Sequence, residues 1–265
     1  MTTLGAIFPP DQPPEQLRAV AQAADAAGLE QLWVWEDCFR EGGIASAAAA
    51  LAWTERLTLG IGLLPVPLRN VALTAMEIAT IERTFPGRFV PGIGHGVLDW
   101  MGQVGARVES PMALLREYTE ALHALLAGET VTTSGRYVRL DGVALDWPTR
   151  QAPPLVVGGR GPKTVAVGGE LADGVILDEQ VDDDAVRAAL PGYLAARSDS
   201  GRDGAGNVVV FRGVPADEPA QRTAERVTAL AELGVTHVLL RSLADDVPLT
   251  DFVQRVAHEV RPLVP

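Results

Sequence analysis

The chain has 265 residues, 47% of them hydrophobic and 21% charged, an ordinary balance for a globular protein with one sizeable core. Its 34 acidic and 22 basic side chains leave a net charge of -12, which repels phosphate backbones and argues against a nucleic-acid partner. The single cysteine, Cys38, excludes an intrachain disulfide; Met1–Phe8 carries no basic leader, and no apolar run approaches the ~20 residues that span a bilayer, so a soluble, cytoplasmic protein without a membrane partner is expected.

Leu4–Phe8 is a short apolar run closed by Pro9-Pro10 and predicts a buried strand. Pro13-Pro14 opens an Ala-rich helix that ends at Gly28, with proline at the start and glycine past the end. The alternation then repeats. Strands are expected at Gln31–Trp35, Leu57–Leu63, Arg88–Ile93, Leu155–Val157, Gly174–Leu177, Val208–Phe211 and Val235–Leu240. Helices are expected at Ile44–Trp53, Val71–Phe85, Ser110–Leu126, Pro162–Leu171, Val181–Ala196, Ala220–Leu233 and Leu249–Val260. Thr130–Leu140 breaks the rhythm and reads as an inserted hairpin. The strands are continuously apolar, as in a parallel sheet covered on both faces, which is either a closed barrel or an open doubly wound sheet. Strand count and chain length favour a single-domain (β/α)8 barrel over residues 1–265, with the hairpin after the fourth βα unit.

Barrel chemistry sits at the C-terminal ends of the strands. Gly158-Gly159-Arg160-Gly161-Pro162-Lys163 follows a strand and opens a helix; it is either an anion cradle of backbone N–H groups or a tight glycine-rich turn. Gly60-Ile61-Gly62 ends the third strand, where glycines permit close approach to a flat ring or simply form a strand exit. His95 stands between Gly94 and Gly96 after the fourth strand, as a proton-transfer group or as a surface residue. His123, His237 and His258 read as structural. Glu36 and Asp37 end the second strand, and an extended chain aims at most one of the two inward. Cys38 has acidic flanks and no basic partner, so a thiolate nucleophile is not expected. No metal-ligand spacing is present. Trp33, Trp35, Trp100 and Leu64 are either an apolar pocket wall or core.

Taken together, Arg56–Pro65, Arg69, Glu77, Gly87–Gly94, Pro153–Gly159 and Ala172–Leu177 resemble the luciferase-like monooxygenase superfamily, from Leu4 to about Leu177. The shorter, single-domain, deazaflavin-dependent branch, which uses coenzyme F420, is the nearest in flavour; FMN-dependent members share the fold. The resemblance implies a ring packed on a cis peptide at Gly62-Leu63, near Gly94 and His95. It also implies a cofactor phosphate by Gly158, Gly159, Arg160 and Gly161, and a hairpin lying over the mouth as a partial lid. Relatives commonly pair, so a homodimer is a further expectation. Two departures stand out. Members related to the sugar-phosphate dehydrogenase carry Asp-His where this chain has Glu36-Asp37, so Asp37 takes the place of the catalytic histidine. Val97, with Asp99 nearby, stands where those members carry an acid.

The expected activity is hydride transfer to, or oxygenation of, a small organic substrate with coenzyme F420 or FMN, Asp37 or His95 handling the proton. The alternative is a catalytically inactive, flavin- or ligand-binding barrel of the same superfamily.

Overall fold

The computed structural model describes residues 2–244 and 246–265. Eight parallel strands close a barrel: β1 (Thr3–Phe8), β2 (Gln31–Val34), β3 (Thr58–Pro65), β4 (Phe89–Gly94), β7 (Val156–Gly158), β8 (Gly174–Leu177), β9 (Asn207–Val214) and β10 (His237–Ser242). β10 pairs back onto β1 through Thr3↔His237 to Ala6↔Leu240. The helices are α1 (Leu17–Ala26), α2 (Gly43–Ala52), α3 (Val71–Thr84), α4 (Leu98–Gln103), α5 (Pro111–Leu126), α6 (Pro162–Leu171), α7 (Asp183–Asp199), α8 (Ala220–Glu232) and α9 (Leu249–Arg255). Among the described residues, no helix is long and apolar enough to cross a membrane.

The apolar runs divide by the period of two that a strand imposes. Leu4, Ala6 and Phe8 of β1 and Leu32 and Val34 of β2 face the helix ring and join the large outer core. Ile7, Trp33, Val90, Val156, Ile176, Val209, Phe211 and Leu239 face inward and fill the barrel. β3 gives no side chain to this inner set. Its share of the volume belongs to the Trp33 indole, since a Cβ on Gly60 would fall 2.7 Å from Trp33 Cε3 and closer still to Cε2 and Cδ2. Trp33 Nε1 donates to Gln31 Oε1 at 3.0 Å, so the buried indole keeps its hydrogen bond.

The pairing of β3 with β4 slips between Ile61 and Leu64, and the Gly62-Leu63 peptide inside this bulge is cis. The Leu63 side chain occupies a socket between Gly94 and Gly158; a Cβ on Gly94 would lie 2.5 Å from Leu63 Cδ2, and one on Gly158 would overlap the same atom. Gly94 therefore packs behind Leu63, and it is not on the cavity wall. The Cys38-Phe39 peptide is cis as well.

The inserted hairpin is β5 (Val131–Ser134) with β6 (Arg139–Val143), antiparallel and ending three residues later than its pattern predicts. It is not a lid. Its Val138 and Leu140 enter the outer core, and no hairpin residue lines the cavity. Glu117 of α5 fixes it, its carboxylate accepting the amides of Arg136, Tyr137 and Val138 at 3.0, 2.8 and 2.9 Å. Ser110 N–H donates to Tyr137 Oη at 2.8 Å. The mouth is instead flanked by α4, which the sequence pattern leaves as loop.

Candidate active site

A cavity of about 640 Å³ opens at the C-terminal ends of the barrel strands, a size that suits a small molecule or cofactor. Its floor is the top of the inner core. Ile176 and Phe211 belong to both, and Trp35, two residues beyond Trp33 on the same face of β2, stacks on Phe211 at 5.7 Å and 23°. Gly62 and Leu63 form one side. Gly96, Val97 and Trp100 form another, and Gly158–Gly161 with Thr164 a third. Trp33 is wholly buried beneath, and Leu64 points into the outer core, so neither reaches the cavity.

Glu36 and Asp37 both line the cavity but differ in state. Glu36 is committed. Its carboxylate takes both terminal guanidinium nitrogens of Arg69, with Nη2 at 3.0 Å from Oε2, and accepts the Gly43 amide at 2.7 Å. Arg69 also touches Glu77, its Nε 3.4 Å from Oε2. The Asp37 carboxylate has no hydrogen bond or ion pair among the described residues. Burial pushes its pKa above the usual carboxylate value; Arg40 opposes this weakly and Asp11 adds to it. A desolvated, unpartnered carboxyl is equipped to take up or release a proton. Burial, with Glu36 and Asp37 adjacent, likewise pushes the Cys38 thiol up, away from thiolate.

His95 is half-buried. Its Nε2 lies 3.2 Å from Thr164 Oγ1, and that hydroxyl is 3.5 Å from Met112 Sδ. If the hydroxyl donates to sulfur, the network assigns the proton of neutral His95 to Nε2. Nδ1 is buried without a hydrogen-bond partner. Burial lowers the His95 pKa, against the nearby Pro111 backbone, so the ring is neutral at physiological pH.

The glycine-rich loop is only partly available to an anion. The Gly159 amide is spent on Ile176 O at 3.2 Å, within the barrel pairing. Arg160 is paired with Asp178, Nε to Oδ2 at 2.8 Å and Nη2 to Oδ2 at 2.7 Å. Pro162 has no N–H, and the amides of Gly161 and Lys163 find no acceptor among the described residues, at a helix start without a side-chain cap. Lys163 is the one lysine of the sequence and makes no ion pair among the described residues. An apolar slot beside the bulge, with unspent amides and a lysine at the loop, fits a planar ring that carries an anionic tail. The amides left open at this loop are those of Gly161 and Lys163, whereas the Gly159 amide and the Arg160 guanidinium already have partners. Thr164 of α6, Glu179 just past β8 and Phe211 near the end of β9 also line the cavity; the strand-end positions of the latter two were the signal available for finding them.

The family model for luciferase-like monooxygenase matches residues 2–245. The chain belongs to this family. Among curated luciferase-like relatives it is 28% identical over 202 residues to 5,10-methylenetetrahydromethanopterin reductase of Methanolobus tindarius, covering 76% of this chain and 61% of the relative. It is 29% identical over 178 residues to F420-dependent glucose-6-phosphate dehydrogenase of Nakamurella multipartita, covering 62% and 52% of the two chains. The chain thus spans only about half to three-fifths of these relatives' length. A solved F420-dependent secondary alcohol dehydrogenase, in complex with an F420-acetone adduct, superposes with a TM-score of 0.89 at 17% identity. It covers 100% of this chain and 99% of that one, and shares the barrel fold.

Proposed function

We propose that this luciferase-like barrel is an oxidoreductase that binds coenzyme F420, or alternatively FMN, in the strand-end cavity and acts on a small organic acceptor. One observation carries the reading: the apolar slot beside Gly62-Leu63 and the Gly161–Lys163 amides border a single cavity or its rim. When bound, either cofactor supplies hydride, and FMN in addition supports oxygen activation.

The protein's own part is holding, excluding water and moving a proton. Leu63, locked in its glycine socket, presents a fixed apolar surface to a flat ring. The Gly161 and Lys163 amides with the Lys163 ammonium hold the anionic end. Phe211 and Ile176 close the floor against water. The Asp37 carboxyl, desolvated and unpaired, takes up or releases the proton exchanged with the acceptor. Neutral His95, tied to Thr164, is a hydrogen-bonding group on the same wall. The coverage of F420-dependent relatives and the dehydrogenase likeness favour F420 over FMN.

Parallel titrations of the purified protein with F420 and with FMN, followed by visible absorbance, test this. Saturable one-to-one binding of F420, tighter than FMN, is expected; absence of binding by both rejects the reading. Stoichiometric binding without turnover of any acceptor would mark an inactive barrel.

A further inference from the structure

The charged groups of the cavity bear on the acceptor. Arg69 is held by Glu36 and Glu77. Arg241 is held by Glu179, with Nε and Nη2 each at 2.8 Å, and its guanidinium lies 5.9 Å from the centre of the Trp35 ring. Arg160 is held by Asp178. Each of these arginines already has a carboxylate: recruiting Arg69 or Arg241 to an anionic ligand means breaking a half-buried ion pair, which is costly, and recruiting Arg160 from its more exposed pair leaves Asp178 as a second uncompensated acid on the cavity wall. Asp37 is left over. The charges that act on it are Arg40, exposed and outside ion-pair distance, and Asp11 and Glu41, which have the same sign. Lys163 lies beyond Gly161 and is not on the cavity wall.

Most of the remaining wall is apolar, with His95, Thr164 and Gln180 as its uncharged polar groups. Trp35, Phe211, Ile176 and Leu63 border the cavity, together with Val97, which is 46% exposed.

We infer that the acceptor is an uncharged or cationic, largely apolar molecule, and that phosphorylated and carboxylate acceptors are turned away. The inference rests on the oxidoreductase reading above and narrows it. A sugar phosphate would meet Asp37 with no unpaired cation to receive it, and a bound cofactor's anionic tail would add to the repulsion. A neutral acceptor would meet an apolar floor, and a cationic one would find its counter-ion in Asp37.

Three shape-matched probes test it: naphthoate, naphthamide and naphthylmethylammonium. Each is titrated by intrinsic tryptophan fluorescence against the protein alone and against the protein saturated with F420 or FMN. The expected order is ammonium at least as tight as amide, and carboxylate roughly tenfold or more weaker, as a like charge within several ångströms requires. Asp37→Asn is expected to erase the advantage of the ammonium over the amide. Naphthoate binding as tightly as naphthamide overturns the inference, as does failure of all three probes or an ammonium advantage that survives Asp37→Asn. If neither cofactor binds, the oxidoreductase reading falls, while the order on the protein alone still decides the charge preference of the cavity.

Discussion

Gly60→Ala probes why β3 gives no side chain to the inner core. The added methyl would lie within 3.0 Å of three ring atoms of Trp33, which is 0% exposed. The indole is a rigid bicycle, so no flexible end can yield. Its edge meets Phe211 at 5.8 Å, and its Nε1 is spent on Gln31. Overpacking of this kind costs roughly 1–3 kcal/mol. If the ring moves enough to lose Gln31, about 1 kcal/mol more is lost. The sum, about 2–4 kcal/mol, corresponds to a fall in Tm of roughly 4–16 °C at 2–4 °C per kcal/mol. The assay is equilibrium denaturation with calorimetry on the wild type, Gly60→Ala, Trp33→Leu and the double variant. The double variant should be less destabilised than the sum of the singles, because the smaller side chain vacates the space the methyl needs. A Gly60→Ala protein within 0.5 kcal/mol of wild type, or strict additivity, would refute the packing argument.

Gly192→Ala is the contrasting case: Gly192 lies inside α7, and a Cβ there meets nothing within 4 Å. Urea denaturation should show stabilisation by about 0.5–1 kcal/mol. Glu117→Gln should cost about 1 kcal/mol and speed hydrogen exchange at the Arg136–Val138 amides without changing the cavity. The Glu117 carboxyl sits below its usual pKa despite partial burial, because those amides stabilise its charge. Its contribution is therefore present above 4.5 and is lost as pH falls through the lowered value. Asp37 has the opposite sign. Its raised pKa means that the folded state binds the proton more tightly than the unfolded chain, so stability is lost as pH rises through that value. Asp37→Asn should therefore be more stable than wild type at neutral pH and gain nothing below 3.8, as denaturant midpoints would report. Lys163→Glu should weaken cofactor binding roughly tenfold or more at low salt, with the loss shrinking as salt rises.

The barrel was legible because each strand is a continuous apolar run bounded by turn residues, and both of its faces are buried. The Gly62-Leu63 bulge and the glycine-rich loop were legible as motifs. What those glycines do was not. Gly94 makes room for Leu63, and the Gly159 amide is consumed by Ile176; both facts depend on contacts between strands far apart in sequence. Trp33 and Trp35 look alike in sequence and share a face, yet one lies a layer deeper, and only closure of the barrel separates core from wall. α4 escaped because six residues between Gly96 and Gly105 are too few to show a helical period. The lid role of the hairpin failed because Glu117, on a helix of the outer ring, captures its turn amides.

The most direct test of where the ring and the anionic tail lie is a crystal structure of the protein soaked with F420. The ring is expected against Leu63 and its phosphate at the amides of Gly161 and Lys163. Density with the phosphate elsewhere, or a cavity into which Trp35 and Phe211 have collapsed, would contradict this placement.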